Sequence, residues 1–166
     1  MTDSTQKSGL VWLWLSLLLF AVDYVTKAAV MDSMKLYESI ELLPFFNFTY
    51  MHNYGAAFSF LSEAGGWQRW FLSFIAVAIS ALLLFWLRKL PANNWVLCGA
   101  YSLVLAGAIG NLVDRLVHGY VIDFLHFYYQ NWHYPAFNIA DMAIVGGAGL
   151  LLFDAFKGDS SQEKKA

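Results

Sequence analysis

Four long apolar stretches, separated by shorter polar or aromatic stretches, dominate the pattern of the chain. A helix needs about 20 predominantly apolar residues to cross the hydrocarbon core of a bilayer, and each stretch approaches that length. The pattern therefore predicts four membrane-spanning helices. We place them at about residues 10–29, 70–87, 95–117 and 139–156.

The two long segments between these spans show other signals. Aromatic residues occupy every second position from Phe46 to Tyr50, which is the period of a strand. This predicts a small β element within the segment of about 31–66. The segment of about 119–137 is dense in aromatic residues, which favour the membrane–water interface, so we expect an aromatic interfacial loop there. A polar tail follows at 159–166.

Composition supports a single all-α membrane domain over residues 1–158. Of the 166 residues, 59% are hydrophobic and 13% are charged, whereas soluble domains carry about 25% charged residues. The net charge of −2 gives no basic surface for a nucleic acid. One cysteine, Cys98, excludes an internal disulfide and is expected to serve packing.

The basic residues predict the orientation of the helices. If the chain crosses four times, six of its ten basic residues fall on one side, and cytoplasmic loops carry the excess of such residues. Both termini are therefore expected in the cytoplasm and both long segments outside it. The six are Lys7, Arg88, Lys89, Lys157, Lys164 and Lys165.

Two aspartates, Asp123 and Asp141, fall at the same outer membrane face in this arrangement. An ionised carboxylate near hydrocarbon is costly and seldom lacks a partner or a task. Two close carboxylates share one proton in aspartic proteases, and this pair suits that chemistry. The alternative is two solvated interfacial carboxylates, with Asp141 favoured by the dipole of the fourth helix.

The outer end of the third span is made of small and polar residues. Gly107 and Gly110 permit close helix packing, and Asn111, Asp114 and Arg115 follow. Asp114 is expected to neutralise Arg115 as an interfacial anchor. For Asn111 and Arg115 a substrate-binding role is the alternative.

Further polar residues flank these positions. Asp23 and Lys27 are four residues apart on the first span, which favours an ion pair that reaches toward the interface, or a support for the catalytic segment. Asn53 either bonds an extended peptide or stabilises its own turn. Asn138 either caps the fourth helix or orients Asp141.

The sequence offers little for other chemistries. Neither an H-E-x-x-H nor a G-x-S-x-G motif occurs. A small proton-coupled transporter or lipid carrier is the alternative class, but the second span contributes only Ser73 and Ser80 as polar groups. A non-enzymatic assembly factor is the other alternative.

Interfacial histidines among aromatic residues are usually structural, and a metal site is the alternative for the four histidines, His52, His118, His126 and His133.

Five motifs in order resemble those of the lipoprotein signal peptidase (signal peptidase II) family of bacterial inner-membrane aspartic proteases. They are Asp23–Lys27, Asn53–Ser59, Gly107–Arg115, Val121–Phe124 and Phe137–Asp141. The resemblance implies that Asp123 and Asp141 are catalytic. It implies supporting roles for Asp23, Lys27, Asn53, Gly55, Asn111, Asp114, Arg115 and Asn138.

The same resemblance implies the substrate and the setting. The substrate is a prolipoprotein that carries diacylglycerol on a cysteine, and cleavage falls just before that cysteine. The site lies at the extracytoplasmic face of the inner membrane, in contact with membrane lipids. The family needs no metal or cofactor, is inhibited by the cyclic lipopeptide globomycin, and is expected to act as a monomer. The segment from Asn47 to Asn53 is expected to cradle the site, with the aromatic loop around Trp132 as a lid.

Overall fold

The structure is a computed structural model that describes residues 7–55 and 65–163. Within these ranges four helices are long and apolar enough to cross a membrane, which confirms the four predicted spans. The third prediction, 95–117, agrees with the observed helix at both ends. The first helix begins and ends a few residues later than predicted, and the second is longer at both ends. The helices are α1 (Leu13–Ser33), α2 (Trp67–Lys89), α3 (Trp95–Val117) and α4 (Ile139–Glu163).

Helix α4 continues through most of the segment that the sequence suggested as a polar tail. No proline interrupts residues 157–163, and extending an existing helix costs less than nucleating a new one. The polarity of this segment therefore marks where the apolar span ends and does not mark where the helix ends.

Helix α3 lies at the centre of the bundle. Most of its apolar part is buried, whereas α1, α2 and α4 expose most of theirs. Large exposed apolar side chains such as Leu17, Phe74 and Val145 are suited to contact with lipid. At Gly107 a Cβ atom would overlap the carbonyl oxygen of Ala140, so α3 and α4 approach each other backbone to backbone.

Four strands form one antiparallel sheet in the described part of the chain, in the order β1, β2, β3, β4. The strand predicted from Phe46 is confirmed, and it continues to Asn53. The strands are β1 (Ser39–Leu43), β2 (Phe46–Asn53), β3 (Val121–Tyr129) and β4 (Trp132–His133).

The prediction of an aromatic loop at 119–137 was wrong, because most of that segment forms β3 and β4. The first five residues of β3, Val121 to Leu125, are all buried. A strand that is buried on both faces lacks the alternation of apolar and polar residues that reveals a strand in the sequence.

The sheet packs on the C-terminal end of α1. Val30 and Met34 from that end form one buried cluster with Tyr50 of β2 and Ile122 and Phe124 of β3. This contact fixes β3 above the helices and brings Asp123 close to the start of α4. Cys98 is free and lies in a separate apolar cluster near the other end of the bundle, as a packing residue.

Candidate active site

Asp123 and Asp141 come from different elements, and the side chain of Asn138 joins them. Its Nδ2 donates to Asp123 Oδ1 at 2.7 Å, and its Oδ1 accepts the Asp141 backbone N–H at 2.9 Å. The backbone N–H of Asn138 donates in turn to Asp141 Oδ2 at 3.3 Å. This reciprocal pair is a capping box at the start of α4. Asn138 therefore caps the helix and also orients the carboxylates, so both expected roles are present.

The remaining carboxylate oxygens accept hydrogen bonds from two further amides. Asn53 Nδ2 donates to Asp123 Oδ2 at 2.9 Å, and Asn111 Nδ2 donates to Asp141 Oδ1 at 2.8 Å. Asn53 thus bonds a carboxylate and also its own turn, because its Oδ1 accepts the Gly55 N–H at 3.0 Å. Neutral amides from β2, α3 and the start of α4 hold the two carboxylates in place without neutralising them.

The surroundings of Asp123 make its carboxyl group retain a proton. Burial raises its pKa to about 7, and the nearby charge of Asp141 adds to the effect. The hydrogen bonds from Asn53 and Asn138 and the charge of Lys27 oppose this rise in the pKa. Two interacting carboxyl groups titrate as a unit, so the pair can hold one proton near neutral pH.

Lys27 is only 2% exposed, so its ion pair with Asp23 is buried within the bundle and is not an exposed pair as the sequence suggested. Its Nζ lies 2.8 Å from an oxygen of Asp23 and 2.8 Å from an oxygen of Asp114. It also donates to Asn111 Oδ1 at 3.2 Å. These three acceptors replace water around the ammonium group, which makes its burial possible.

The two carboxylates that bind Lys27 each hold the backbone next to a site aspartate. Asp23 Oδ1 accepts the N–H of Ala140 at 2.8 Å, and Asp114 Oδ2 accepts the N–H of Ile122 at 3.1 Å. Ala140 and Ile122 directly precede Asp141 and Asp123 in the sequence. A single ammonium group thereby ties together the two backbone segments that carry the pair.

Arg115 does not pair with Asp114, contrary to expectation. Its Nη2 donates to the carbonyl oxygen of Gly55 at 2.8 Å, and its Nη1 donates to that of Asn111 at 3.2 Å. Asp114 is already engaged by Lys27, which explains the difference. Arg115 fixes the chain just after β2. Residues 56–59 of the same motif lie outside the described residues.

A cavity of about 860 Å³ joins the polar site to the membrane region. Its polar end is formed by Asn53, Asn111, Arg115, Asp123 and Asp141. Its apolar end lies between α2 and α4, and its wall at the sheet is formed by residues 134–137. The apolar lining includes Leu72, Ile75, Ala76, Ile79, Ala108, Met142, Ile144 and Val145.

One cavity residue, His52, was foreseen only as part of the cradle segment and was not singled out as a site residue. Its ring stacks on Tyr120, with 3.6 Å between ring centroids, and a ring nitrogen lies 2.9 Å from the Tyr50 hydroxyl. The period of two from Phe46 to Tyr50 extends to His52 and was the available signal. Among residues 7–55 and 65–163, no group of three or more His, Cys, Asp or Glu side chains is arranged to hold a metal ion.

Four membrane-spanning helices and an amide-held aspartate pair at the polar end of an apolar cavity define a membrane-embedded peptidase of the aspartic class. The family model of signal peptidase (SPase) II matches residues 15–157. The chain belongs to the signal peptidase II family, which confirms the resemblance carried by the five motifs.

Individual relatives agree with this assignment. The lipoprotein signal peptidase of Pseudoalteromonas translucida is 68% identical over 100% of both chains. That of Shewanella woodyi is 59% identical over 93% of this chain and 88% of its own. A solved bacterial membrane enzyme, determined by the in meso method, has a TM-score of 0.82 at 32% identity over 91% of this chain and 90% of its own.

Proposed function

We propose that this protein removes the signal peptide from prolipoproteins that carry diacylglycerol on a cysteine, and that it cleaves just before that cysteine. The observation that carries the proposal is the position of the Asp123–Asp141 pair, at the polar end of a cavity whose other end is apolar. Membership of the signal peptidase II family supports this substrate class.

The chemistry is general acid–base hydrolysis. One carboxylate of the pair takes a proton from a water molecule as that water attacks the scissile carbonyl carbon. The protonated partner donates a hydrogen bond to the carbonyl oxygen, where negative charge develops. The C–N bond then breaks and the leaving amine takes up a proton from the pair. The pKa of about 7 at Asp123 supports a pair that holds one proton at working pH.

The cavity accounts for a lipidated substrate. Three residues of its apolar lining, Ile79 of α2 and Met142 and Val145 of α4, are exposed, so the cavity is not closed between these two helices. The cavity therefore opens sideways toward lipid between α2 and α4. Diacylglycerol and the apolar signal peptide can remain in the bilayer while the peptide bond reaches the aspartates. A cyclic lipopeptide inhibitor of the globomycin type is expected to bind in the same cavity.

The supporting residues have distinct tasks in this proposal. Asn53, Asn111 and Asn138 hold the carboxylates, and Arg115 holds Gly55 at the cavity edge. Lys27 with Asp23 and Asp114 holds the backbone beside them. No cofactor takes part in the proposed reaction, and one chain supplies every group that it uses, so we expect a monomer.

We place the site at the extracytoplasmic face of the bacterial inner membrane, with both termini in the cytoplasm. Arg88 and Lys89 lie in the last turn of α2, at the end of the bundle away from the sheet. This agrees with the cytoplasmic excess of basic residues. A cysteine introduced at the exposed position Tyr37 tests the orientation. A membrane-impermeant thiol reagent added outside intact cells should label it.

The decisive experiment uses Asp123→Asn and Asp141→Asn in purified protein with a diacylglyceryl-modified preprotein. Each variant should release no signal peptide while it retains the melting temperature and gel-filtration profile of a folded protein. Asp32→Asn is the matched control, because Asp32 is exposed at the outer end of α1 and should leave turnover unchanged. Turnover within tenfold of normal in either of the first two variants would refute the assignment.

A further inference from the structure

Two histidines that the proposed reaction does not use lie against each other on neighbouring strands. His126 belongs to β3 and His133 to β4. His126 Nε2 and His133 Nδ1 are 3.2 Å apart, and the rings are stacked with 5.1 Å between centroids. Neither histidine lines the cavity. The pair is accessible from outside, because His133 is exposed and His126 half-buried.

The environment of His126 leaves Nε2 free to act as a ligand. Its other nitrogen, Nδ1, lies 3.2 Å from the Thr49 hydroxyl on β2, and that hydroxyl lies 2.8 Å from the hydroxyl of Ser39 on β1. Thr49 can accept the Nδ1 proton while it donates its own to Ser39, which places the lone pair on Nε2. Metal-binding histidines commonly donate their second ring N–H in this way.

We propose that His126 Nε2 and His133 Nδ1 together bind one transition-metal cation, such as Zn²⁺ or Cu²⁺, in place of the proton between them. Two imidazole nitrogens that each lie about 2.1 Å from a metal, at an angle of about 100°, are about 3.2 Å apart. The observed separation therefore suits a shared ion after a small rotation of the rings. Imidazole nitrogen is a preferred ligand for zinc, copper and nickel, whereas magnesium and calcium prefer oxygen.

The site supplies two protein ligands, since no third His, Cys, Asp or Glu of the described ranges joins the pair. Water completes the coordination shell, so binding is reversible and weaker than at a structural zinc site. The ion ties β3 to β4 directly before residues 134–137, which form a wall of the cavity. The site is separate from the aspartates, and its occupancy does not depend on the proposed reaction.

Titration calorimetry of the full chain in detergent, without an affinity tag, tests the site with Zn²⁺ alone. We expect one Zn²⁺ per chain, and we expect His126→Gln and His133→Gln each to weaken binding by about tenfold or more. His118→Gln is the matched control, because His118 is exposed and stacks on Tyr120 without a partner nitrogen in the described chain. It should bind Zn²⁺ as the parent protein does.

Electron paramagnetic resonance with Cu²⁺ gives a second measurement that identifies the ligands. The parent protein should show hyperfine coupling to two imidazole nitrogens, and His133→Gln should show coupling to one. Zn²⁺ affinity unchanged in both histidine variants, or lost equally in His118→Gln, would overturn the proposal. Because the resting protein is measured without substrate, either result is independent of whether the chain cleaves prolipoproteins.

Discussion

Lys27 and Asp114 form a buried ion pair between α1 and α3, with 2.8 Å between Nζ and Oδ2. Asp114 accepts the N–H of Ile122, and the second partner of Lys27, Asp23, accepts the N–H of Ala140. The ion pair therefore sets the spacing of the two backbone segments that carry the site aspartates. Lys27 is a positioning residue in the proposed reaction, because its ammonium group acts through the two carboxylates that bind this backbone.

Lys27→Met should destabilise the protein and abolish cleavage. Loss of one partner from a buried ion pair costs about 3–5 kcal/mol, because the remaining charge stays buried. Here two carboxylates would remain. Thermal unfolding and signal-peptide release check both effects, and Lys35→Met, at an exposed position, is the control. The double variant Lys27→Met, Asp114→Asn should unfold at a higher temperature than the single one, and failure to do so would contradict the role of charge.

Two substitutions at Asn138 should distinguish its role in capping α4 from its role in orienting the carboxylates. Asn138→Ser retains a side-chain oxygen that caps α4 but loses the donor to Asp123. We therefore expect a melting temperature above that of Asn138→Ala, with kcat reduced by about 100-fold, the scale of a misplaced catalytic group. Asn138→Ala should lose the same activity and also about 1 kcal/mol of stability through the lost cap. Equal melting temperatures for the two variants would show that the cap contributes nothing.

The close approach of α3 and α4 predicts an unequal effect of two alanine substitutions. A Cβ at Gly107 meets the backbone oxygen and carbon of Ala140, next to Asp141, whereas a Cβ at Gly149 has no atom within 4 Å. Gly107→Ala should cost about 1–3 kcal/mol through overpacking and reduce kcat. Gly149→Ala should leave both unchanged. Thermal unfolding and the release assay provide the comparison.

The pH dependence should follow from the raised pKa of Asp123. Activity needs one proton on the aspartate pair, and that proton is lost as the pH rises through about 7. We therefore expect kcat to fall above about pH 7, by about tenfold per pH unit once the deprotonated pair dominates. A pH–rate profile that stays level to pH 9 would contradict the assignment.

Stability should change with pH in the same range. The folded protein holds a proton on Asp123 up to about pH 7, whereas the unfolded chain releases it near the ordinary value of 3.8. The unfolded state then binds fewer protons, so the contribution of this group to the free energy of unfolding falls from about pH 4 to about pH 7 and is level above. Asp123→Asn should show a smaller decline in melting temperature over this pH range than the parent protein.

The sequence revealed some of these features because they leave local signals. The apolar stretches mark the four spans, and the alternation from Phe46 marks β2. Strand β3 was not predicted, because Val121 to Leu125 are all buried and show no alternation of apolar and polar residues. The partner of Arg115 could not be predicted, because spacing along one helix shows only neighbours on that helix. Asp114 forms its ion pair with Lys27, which belongs to another helix, α1.

The proposed sideways opening of the cavity between α2 and α4 has a kinetic consequence. A substrate that enters from the lipid is encountered by diffusion in two dimensions, and its effective concentration is its mole fraction in the membrane. In a micellar assay with constant amounts of enzyme and substrate, the rate should therefore fall when detergent is added, because the added detergent dilutes the substrate within the micelles. A Michaelis constant for this enzyme is thus expressed per lipid or detergent molecule and not per litre of water.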